Sequence, residues 1–562
     1  MLASPFERAA ALARLADDPF DVLVVGGGIT GTGVALDAAA RGLRVALVDK
    51  GDLASGTSSK SSKMVHGGLR YLQQGDVRLV YQALAERQRL RRNAPHLVKL
   101  LPFLVPVFSR DGIISRKLAR ALGTAMWMYD LTGGARIGKL HEKLSAEECL
   151  EQMPTLRRDR VAGGYLYYDA QADDARLTLA VARTAVLDHG AVVATYASVV
   201  GLDKGDDGRL RGATVLADGE EVHVRASVVV NATGVWSDRF RAVDEVGRPR
   251  TIRPAKGVHV TVPWSKVRNR IAAVVPVPKD RRTVFVVPWG DLTYVGTTDT
   301  DYDGPLDDPR CTGEDVAYLL RALNASIEEP VTEDDVVGTW AGLRPLVRDA
   351  NSARTADLSR RHRVEHSASG LVTISGGKLT TYRQMAADTV DEVLPLLPER
   401  DRARARRRTP TADLRLRGAD GYDDLVASAT TQPGVDPAVL THLADRYGGE
   451  ARTVLAMLAA DPDLARPLVP GLPYLRAEAR YAVRYEMATT LDDVLSRRTR
   501  ARILARDATA AAAEDVAALV APDLGWDEAT VAAQVASFRA SVDEEREAAG
   551  LPPSPVDLLA GA

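Results

Sequence analysis

The chain has 562 residues, 46% of them hydrophobic, and a formal net charge of −2 at neutral pH. A single hydrophobic core stops growing near roughly 250 to 300 residues, so this length predicts at least two domains and an appendage. The near-neutral charge is typical of a soluble globular enzyme and excludes the strongly basic class of nucleic-acid-binding proteins, so no nucleic-acid partner is expected.

Cysteine content and hydropathy indicate the compartment. The two cysteines, Cys149 and Cys311, are too few for a disulfide framework, and neither has the spacing of a zinc or redox site, so no metal is expected. The N-terminal segment lacks a secretory apolar region, and no uninterrupted apolar run of about 18 residues occurs. We therefore expect a cytoplasmic protein, or one attached peripherally to the inner face of the cell membrane.

The N-terminal part carries a dinucleotide-binding pattern. Residues 21–33 read DVLVVGGGITGTG, an apolar strand that runs into Gly26, Gly28 and Gly31, and Asp49 ends a second apolar strand. Glycines at this spacing permit a tight turn, backbone approach to a pyrophosphate and close packing of a helix, while the acid accepts hydrogen bonds from ribose hydroxyls. The pattern predicts a site for the ADP half of a dinucleotide, without separating NAD from FAD.

Strand and helix signals alternate farther along the chain. The segment DDARLTLAVARTAVLDHG (173–190) is typical of an amphipathic helix, whereas AVVATYA (191–197) and ASVVVNATG (226–234) are typical of strands in one doubly wound sheet. Strand alternation without intervening helices follows in GVHVTVP, RRTVFVVPWG and DLTYVGTTD. These segments predict an antiparallel sheet inserted into the nucleotide domain, and we expect it to carry the substrate.

A basic run marks the last domain boundary. The sequence ERDRARARRR (399–408) is expected to be a solvated linker, and the segments beyond it have helical spacing. The helical domain is open to a role as a cap over the active site or as a homodimer contact. The predicted boundaries are 20–90, 171–250 and 340–398 for the nucleotide domain, 91–170 and 251–339 for the substrate domain, and 409–562 for the helical domain.

Four further segments are unusual for ordinary loops. They are TSSKSSKMVHGGLRYL (57–72), VNATGVW (230–236), TWAGLRPLV (339–347) and ISGGKLTTYRQMA (374–386). In these motifs and their order the chain resembles the quinone-linked, FAD-dependent glycerol-3-phosphate dehydrogenases, a branch of the D-amino-acid-oxidase-like flavoproteins. The resemblance implies an α/β fold class, with a doubly wound FAD-binding domain, an inserted antiparallel-sheet substrate domain and a C-terminal helical domain.

The resemblance implies FAD as the cofactor. The cofactor-binding residues it implies are Gly26, Gly28, Gly31, Asp49, Ser58, Ser59, Ser61, Ser62, Lys63, Thr233 and Gly234. The residue pattern adds Gly376 and Gly377, because they end an apolar strand and open a helix, where backbone donors can stabilise charge on a reduced flavin. A plain helix cap is the other interpretation of that turn.

A phosphate monoester needs several fixed cations, and guanidinium groups donate two parallel hydrogen bonds to its oxygens. By resemblance, Arg344 and Lys378 match substrate-binding positions closely, and so do Arg70 and Tyr71. Arg360 matches only approximately, and the neighbouring arginines at 361 and 363 are alternatives. Any one of these arginines is as typical of a salt bridge, so the joint pattern carries the argument.

Oxidation of a secondary alcohol requires a base that titrates near neutrality, and histidine is the natural choice. His259 lies in KGVHVTV, where strand alternation places it on one face with Gly257 and Thr261. His66 is the second candidate, because its segment runs beneath the flavin if the resemblance holds. We prefer His259 on the sequence.

The electrons must then leave the flavin. The segment RKLARALGTAMWMYDL (116–131) suits a membrane interface, with a helix packed on the protein's own core as the other interpretation. By resemblance, the protein oxidises sn-glycerol 3-phosphate to dihydroxyacetone phosphate with hydride transfer to FAD, and passes the electrons to a membrane quinone. The alternatives are an oxygen-dependent glycerophosphate oxidase and a non-catalytic flavin-binding sensor module.

Overall fold

The computed structural model describes residues 6–68, 77–109, 139–280, 282–348, 361–428 and 435–555. Two β-sheets and a C-terminal group of helices make up this part of the chain. The expected α/β fold class, with its doubly wound sheet, inserted antiparallel sheet and helical domain, is confirmed.

The first sheet is built around parallel strands. Phe20–Val25 pairs in parallel with Glu220–Asn231 on one side and with Val45–Val48 on the other. The order across the sheet is Arg363–His366, Val372–Ser375, Glu220–Asn231, Phe20–Val25, Val45–Val48 and Val192–Ala194, with Leu210–Ala217 and Ala197–Lys204 added as an antiparallel extension. Residues 22–25, 45–48 and 228–230 of its central strands are apolar and buried, because helices cover both faces.

Helices on the two faces make this sheet doubly wound. Ile29–Ala40, Asp174–Leu187 and Tyr382–Val393 share one apolar core with the sheet. Arg8–Asp17 and Ser237–Asp244 contribute to a separate core that includes the other side of the central strands. The carboxyl ends of the parallel strands are left open at one edge, where open α/β sheets bind their ligands.

The second sheet has ten strands and is antiparallel except at one pairing. The order across it is Thr300–Asp301, Ile252–Pro263, Leu292–Gly296, Thr283–Trp289, Ala272–Pro276, Val98–Phe108, Val161–Ala172 and Met64–Val65, with Gly338–Val347 beside Ile252–Pro263 and Glu142–Leu144 beside Val161–Ala172. The valines of Ile252–Pro263 pack in a core with helix Gly313–Asn324, which leaves His259 and Thr261 on the opposite face, as strand alternation predicts.

Sheet membership differs from the predicted domain boundaries at two places. Gly338–Val347 pairs along its whole length with Ile252–Pro263, so residues 340–347 belong to the second sheet and not to the first. The short strand Met64–Val65 also joins the second sheet. Both strands find their partners far away in sequence, so no local pattern distinguishes which sheet they enter.

The basic run is mostly exposed: of residues 399–408, Asp401 is buried, Ala405 is half-buried and the others are exposed. It begins with the short helix Glu399–Arg404, and the guanidinium group of Arg404 lies 3.0 Å from a carboxylate oxygen of Asp21 in the first sheet. The backbone amide of Arg406 donates to the carbonyl of Arg41 at 2.9 Å. The run is therefore solvated over most of its length, as expected, and it is attached at two points, to Asp21 of the first sheet and to Arg41 at the end of helix Ile29–Ala40.

The C-terminal helices share a core with the second sheet. Leu495, Ile503 and Phe538 belong to the same buried cluster as Tyr294 and Trp340. The helices beyond the basic run are Tyr422–Ala427, Pro437–Tyr447, Ala451–Ala460, Arg476–Tyr485, Asp493–Arg498, Ala501–Leu504, Arg506–Leu524 and Glu528–Ala549. The remaining α-helices of the described part are Val77–Asn93, Ala146–Gln152 and Trp264–Val267. In the ranges that the structure describes, no helix combines the length and the apolarity that crossing a membrane requires.

Candidate active site

A cleft of about 380 Å³ opens at the carboxyl edge of the first sheet. Its walls come from the turns that follow four parallel strands, at Gly26, Asp49, Ala232 and Gly376. Further residues lining it include Gly28, Ser55, Gly56, Thr57, Ser58, Thr233, Gly234, Pro345, Gly377, Lys378 and Leu379. The cleft therefore brings together the glycine turn at Gly26 and the distant turn at Gly376, both of which the sequence analysis assigns to the cofactor.

The glycine turn leaves no room for side chains. Gly26 has a φ of +113°, and a Cβ there would lie 2.6 Å from the carbonyl oxygen of Ala232. A Cβ at Gly31 would lie 1.8 Å from the carbonyl oxygen of Gly26. Gly28 precedes the first residue of helix Ile29–Ala40, so the positive end of that helix opens on the cleft. These contacts give the physical reason for the glycine spacing.

Asp49 lies at the end of the second parallel strand and accepts two backbone hydrogen bonds. They come from Gly27 at 2.5 Å and from Gly51 at 2.8 Å. Burial raises the pKa of Asp49 to about 6, although the two backbone donors act in the opposite direction. The carboxyl group therefore faces the cleft in a poorly solvated position, where hydroxyl donors would stabilise its ionised form.

The turn at Gly376 and Gly377 is a second cradle. Both glycines have positive φ, +73° and +83°, and a Cβ on either would collide with neighbouring atoms. The next helix, Tyr382–Val393, has Thr381 at its N-cap, so the glycines are not its cap. They lie between strand Val372–Ser375 and that helix, and their backbone lines the cleft.

The serine-rich loop, residues 57–63, divides into two parts. Ser58 lines the cleft, and its Oγ accepts from the backbone amide of Ile29 at 2.9 Å. Ser61 instead donates from Oγ to Asp174 at 2.7 Å, and the Lys63 ammonium donates to the same carboxylate at 2.9 Å. Ser59, Ser61, Ser62 and Lys63 are not part of the cleft lining.

Sequence reasoning missed Asp174. It stands beside the N-cap Asp173 of helix Asp174–Leu187, and both residues had been assigned only to that helix. No local signal connects Asp174 with a loop 113 positions away. The contact follows from the packing of this helix on the first sheet, which brings its N-terminus under the loop.

Three aromatic side chains of the second sheet cover the loop from behind. Trp340 donates from Nε1 to the carbonyl of Ser61 at 3.1 Å, and Tyr294 donates to the carbonyl of Ser62 at 3.0 Å. His259 stacks on Trp340, with ring centroids 4.6 Å apart, and its Nε2 lies 2.9 Å from Ser62 Oγ. The polar face of the sheet therefore borders the loop.

This position does not suit His259 to titrate near neutrality. Burial lowers its pKa well below the usual range, and the positive charges of Lys63 and Arg344 act in the same direction. Among the residues that the structure describes, none forms a hydrogen bond with its Nδ1. The imidazole is therefore held neutral, which differs from the behaviour expected of it on the sequence.

The other candidates for catalysis and substrate binding lie toward the turn that carries Lys378. The backbone amide of His66 donates to Thr380 Oγ1 at 3.1 Å, which places His66 beside this turn. Arg344 lies 3.2 Å from Asp299, and its strand neighbour Pro345 lines the cleft. Arg70, Tyr71, Arg360 and the segment 116–131 lie outside the described residues.

Comparison with known proteins agrees with this architecture. Residues 21–383 match the family described as FAD dependent oxidoreductase. Residues 409–531 match the C-terminal domain of alpha-glycerophosphate oxidase. The two matches coincide with the sheet-bearing part of the chain and with its helical domain.

Similarity extends over nearly the whole chain. The chain is 44% identical to glycerol-3-phosphate dehydrogenase 2 of Mycobacterium tuberculosis over 547 residues. The aligned part covers 96% of this chain and 91% of the relative. The mitochondrial glycerol-3-phosphate dehydrogenase of Bos taurus is 37% identical over 532 residues, covering 91% of this chain and 71% of that protein.

A solved structure shows the same fold. The glycerol-3-phosphate dehydrogenase from Bacillus halodurans, complexed with FAD, superposes with a TM-score of 0.77 at 31% identity and covers 97% of this chain and 98% of its own. The chain therefore belongs to the FAD-dependent oxidoreductases, and among them to the family of the FAD-dependent glycerol-3-phosphate dehydrogenases.

Proposed function

We propose that this protein oxidises the C2 hydroxyl of sn-glycerol 3-phosphate to give dihydroxyacetone phosphate, using FAD, and that a membrane quinone receives the electrons. The observation that carries the proposal is the composition of the cleft. One end has the glycine turn and Asp49, and the other has Lys378 and the strand of Arg344. Residues suited to a dinucleotide thus lie in the same cleft as a cation suited to a phosphate ester, and a glycerol-3-phosphate dehydrogenase that uses FAD needs both.

The residues present fit FAD. Gly26 and Gly28, with the N-terminus of helix Ile29–Ala40, would hold the pyrophosphate, because backbone amides open on the cleft there and a Cβ at Gly26 or Gly31 has no room. Asp49 would accept from the ribose, and Gly376 and Gly377 would donate backbone hydrogen bonds toward the ring. When bound, FAD would supply the acceptor for the hydride leaving C2.

We assign the phosphate group to cations at the far end. Lys378 lines the cleft, and Arg344 is held by Asp299 and Thr297, which lie between strands Leu292–Gly296 and Thr300–Asp301. A fixed guanidinium loses little freedom when it binds an anion, which favours a preorganised site. Arg70, Tyr71 and Arg360 remain part of this assignment by resemblance.

For the base, we propose His66 ahead of His259. His66 lies beside the turn of Lys378, whereas His259 is stacked behind the serine-rich loop with a lowered pKa. We expect His66→Gln to lower kcat by at least about 100-fold with flavin still bound, because general base catalysis contributes about that much. A loss of that size in His259→Gln, with normal turnover in His66→Gln, would reverse the assignment.

We further propose that the segment 116–131 contacts the membrane surface where the quinone is reached. Flotation with anionic liposomes tests this, comparing the protein with its Trp127→Ser variant. We expect the protein to float and the variant to float less. No flotation of either would remove the membrane contact from the proposal.

The function itself is tested by anaerobic absorbance at the oxidised-flavin band. We expect glycerol 3-phosphate to bleach the band and glycerol to leave it unchanged. Lys378→Met should raise the KM for glycerol 3-phosphate by about 10- to 100-fold, since charged hydrogen bonds are worth about 1.5–3 kcal/mol, whereas Lys279→Met, in an exposed turn, should not. An unchanged band with the phosphate ester would overturn the proposal, and peroxide formed in air at the rate of turnover would assign oxygen as the acceptor.

A further inference from the structure

The helical domain contacts two loops beside the cofactor cleft through residues 486–502. This segment includes the π-helical turn Asp493–Arg498 and then Arg500, which has a left-handed φ of +69° and a side chain that is 1% exposed. A non-glycine residue adopts such a backbone conformation at a cost, and burial of a guanidinium adds to it. The contacts of Arg500 must offset both.

Those contacts lie on the serine-rich loop, 441 positions away. Arg500 Nη2 donates to the carbonyl oxygen of Ser59 at 2.5 Å and to Asp174 Oδ1 at 3.2 Å. The Lys63 ammonium donates to the same two oxygens, at 3.1 and 2.9 Å. The second oxygen of Asp174 accepts from the amide and hydroxyl of Ser61. Arg500 and Lys63 thus share two acceptors, the Ser59 carbonyl of the loop and the Asp174 carboxylate.

The fixed carbonyl belongs to the residue next to Ser58. Ser58 lines the cleft and accepts from the first amide of helix Ile29–Ala40. Because the peptide unit between residues 59 and 60 is held by Arg500, the position of Ser58 depends on a side chain of the helical domain. The loop has a second support at Thr57, whose hydroxyl donates to the carbonyl of Leu343.

The same segment holds the other loop at this end of the cleft. Arg498 donates to both carboxylate oxygens of Asp52, at 2.7 and 2.8 Å, and Arg497 donates to one of them at 2.5 Å. Asp52 follows Asp49 by three residues, and the loop containing both reaches the cleft. Two adjacent loops of the cofactor site are therefore tied to one stretch of the helical domain.

Charge balance alone does not require Arg500 beside Asp174. Lys63 already gives this carboxylate a buried cation at 2.9 Å, and Arg446 lies 3.7 Å from Asp173. Lys63 is itself a residue of the loop, whereas Arg500 donates to the Ser59 carbonyl from the helical domain. A planar guanidinium suits this, because it donates to two acceptors in a fixed geometry.

We infer that Arg500 is a positioning residue for the cofactor site: from the helical domain it fixes the Ser59 carbonyl and, through it, the place of Ser58 in the FAD cleft. The inference rests on the proposed FAD function and gives the helical domain a part in it. Arg500 itself lines no part of the cleft, so it acts through the loop.

The test is FAD titration of the apoprotein carrying Arg500→Met or Arg500→Gln. Methionine replaces the aliphatic part of the side chain without the guanidinium group and leaves Asp174 paired with Lys63. We expect the Kd for FAD to rise at least tenfold and the visible circular dichroism of the bound flavin to change. The matched control is Arg502→Gln, which loses bonds to Glu545, Asp492 and Ser541 inside the helical domain. Its Kd should stay within twofold of the parent.

The FAD titrations of the Arg500 and Arg502 variants can overturn the positioning role of Arg500 in three ways. A folded Arg500 variant with the parent's Kd and flavin spectrum would overturn the inference, as would equal losses in the Arg500 and Arg502 variants. Failure of both Arg500 variants to fold, with the control folded, would show a role in stability and not in positioning. FAD binding is measured without substrate, so absence of glycerol 3-phosphate oxidation would count against the proposed function and leave this inference standing.

Discussion

The two walls of the cofactor cleft are constructed in different ways. The glycine turn is made of backbone atoms: residues 26 and 31 are in mutual contact, and the carbonyl of Ala232 packs against Gly26. The serine-rich loop is held by Asp174, Arg500, His259, Tyr294 and Trp340, which come from three other regions of the chain. One wall is a local backbone conformation, and the other is an assembly of remote side chains.

The difference shows how each wall responds to change. A backbone turn without room for a Cβ fails when a side chain is added, whatever its polarity. A loop held by buried ion pairs fails when one partner is removed, because the other charge is left unpaired in a poorly solvated place. The comparison therefore predicts distinct sensitivities for the two walls.

The largest effect is expected from Asp174→Ala, in the serine-rich wall. It leaves Lys63 and Arg500 without their shared carboxylate, and breaking a buried ion pair costs about 3–5 kcal/mol. Urea unfolding of the apoprotein measures the loss. The control Asp207→Ala breaks an exposed pair with Arg211, so its cost should be below about 1 kcal/mol. Similar losses of unfolding free energy in the two variants would show that the serine-rich wall does not depend on its buried ion pairs.

Gly26→Ala tests the glycine wall. An alanine there has to adopt a φ of +113° with its Cβ against a backbone carbonyl, and we expect a loss of about 3 kcal/mol and no retained FAD. Gly208→Ala is the matched control, since Gly208 also has a positive φ but no atom within 4 Å of the added Cβ. The control should lose about 1 kcal/mol and keep the cofactor. Retention of FAD by Gly26→Ala would show that the turn adapts.

The pH dependence of stability should have opposite signs at Asp49 and Asp52. Asp49 has a folded-state pKa of about 6, above its ordinary value of 3.8, so its contribution is fully present below 3.8 and is lost as pH rises from there through 6. Burial of Asp52 is outweighed by Arg498 and Arg497, which lower its pKa below 3.8, so its contribution is present above 3.8 and is lost as pH falls.

Melting temperatures of the apoprotein between pH 3 and pH 7 would check these signs. Relative to Asp49→Asn, the parent should lose stability as pH rises from about 4 to about 6 and show little further change above that. Relative to Asp52→Asn, it should lose stability as pH falls below about 4. The same sign in both comparisons would show that the arginines of the helical domain do not control the charge on Asp52.

The smallest effect is expected from Tyr196→Phe. The Tyr196 hydroxyl donates to Asp493 at 2.6 Å, joining the edge of the first sheet to the helical domain. Asp493 also accepts hydrogen bonds from the amides of Thr489 and Thr490, so its carboxylate keeps these two donors when the tyrosine hydroxyl is removed. We expect a loss of about 1 kcal/mol by calorimetry and an unchanged Kd for FAD. A large rise in that Kd would extend the positioning role beyond Arg500.

Local patterns predicted much of this site. The glycine spacing, the acid at Asp49 and the turn at Gly376 are each read from a few neighbouring residues, and the structure brings all three to one cleft. The antiparallel sheet and the face of His259 followed from strand alternation. Local patterns did not predict that residues 340–347 leave the first sheet, or that Ser61 and Lys63 point to Asp174.

The sequence by itself determined what backbone conformation and periodicity dictate: a dinucleotide turn, two kinds of sheet, a helical tail and a family. Only the tertiary structure decided which polar side chains meet. His259 is neutral because a loop, Trp340 and two cations surround it, and Arg500 reaches the carbonyl of Ser59 from 441 residues away. Burial and the pairing of charges are set by neighbours in space, and sequence distance carries no information about them.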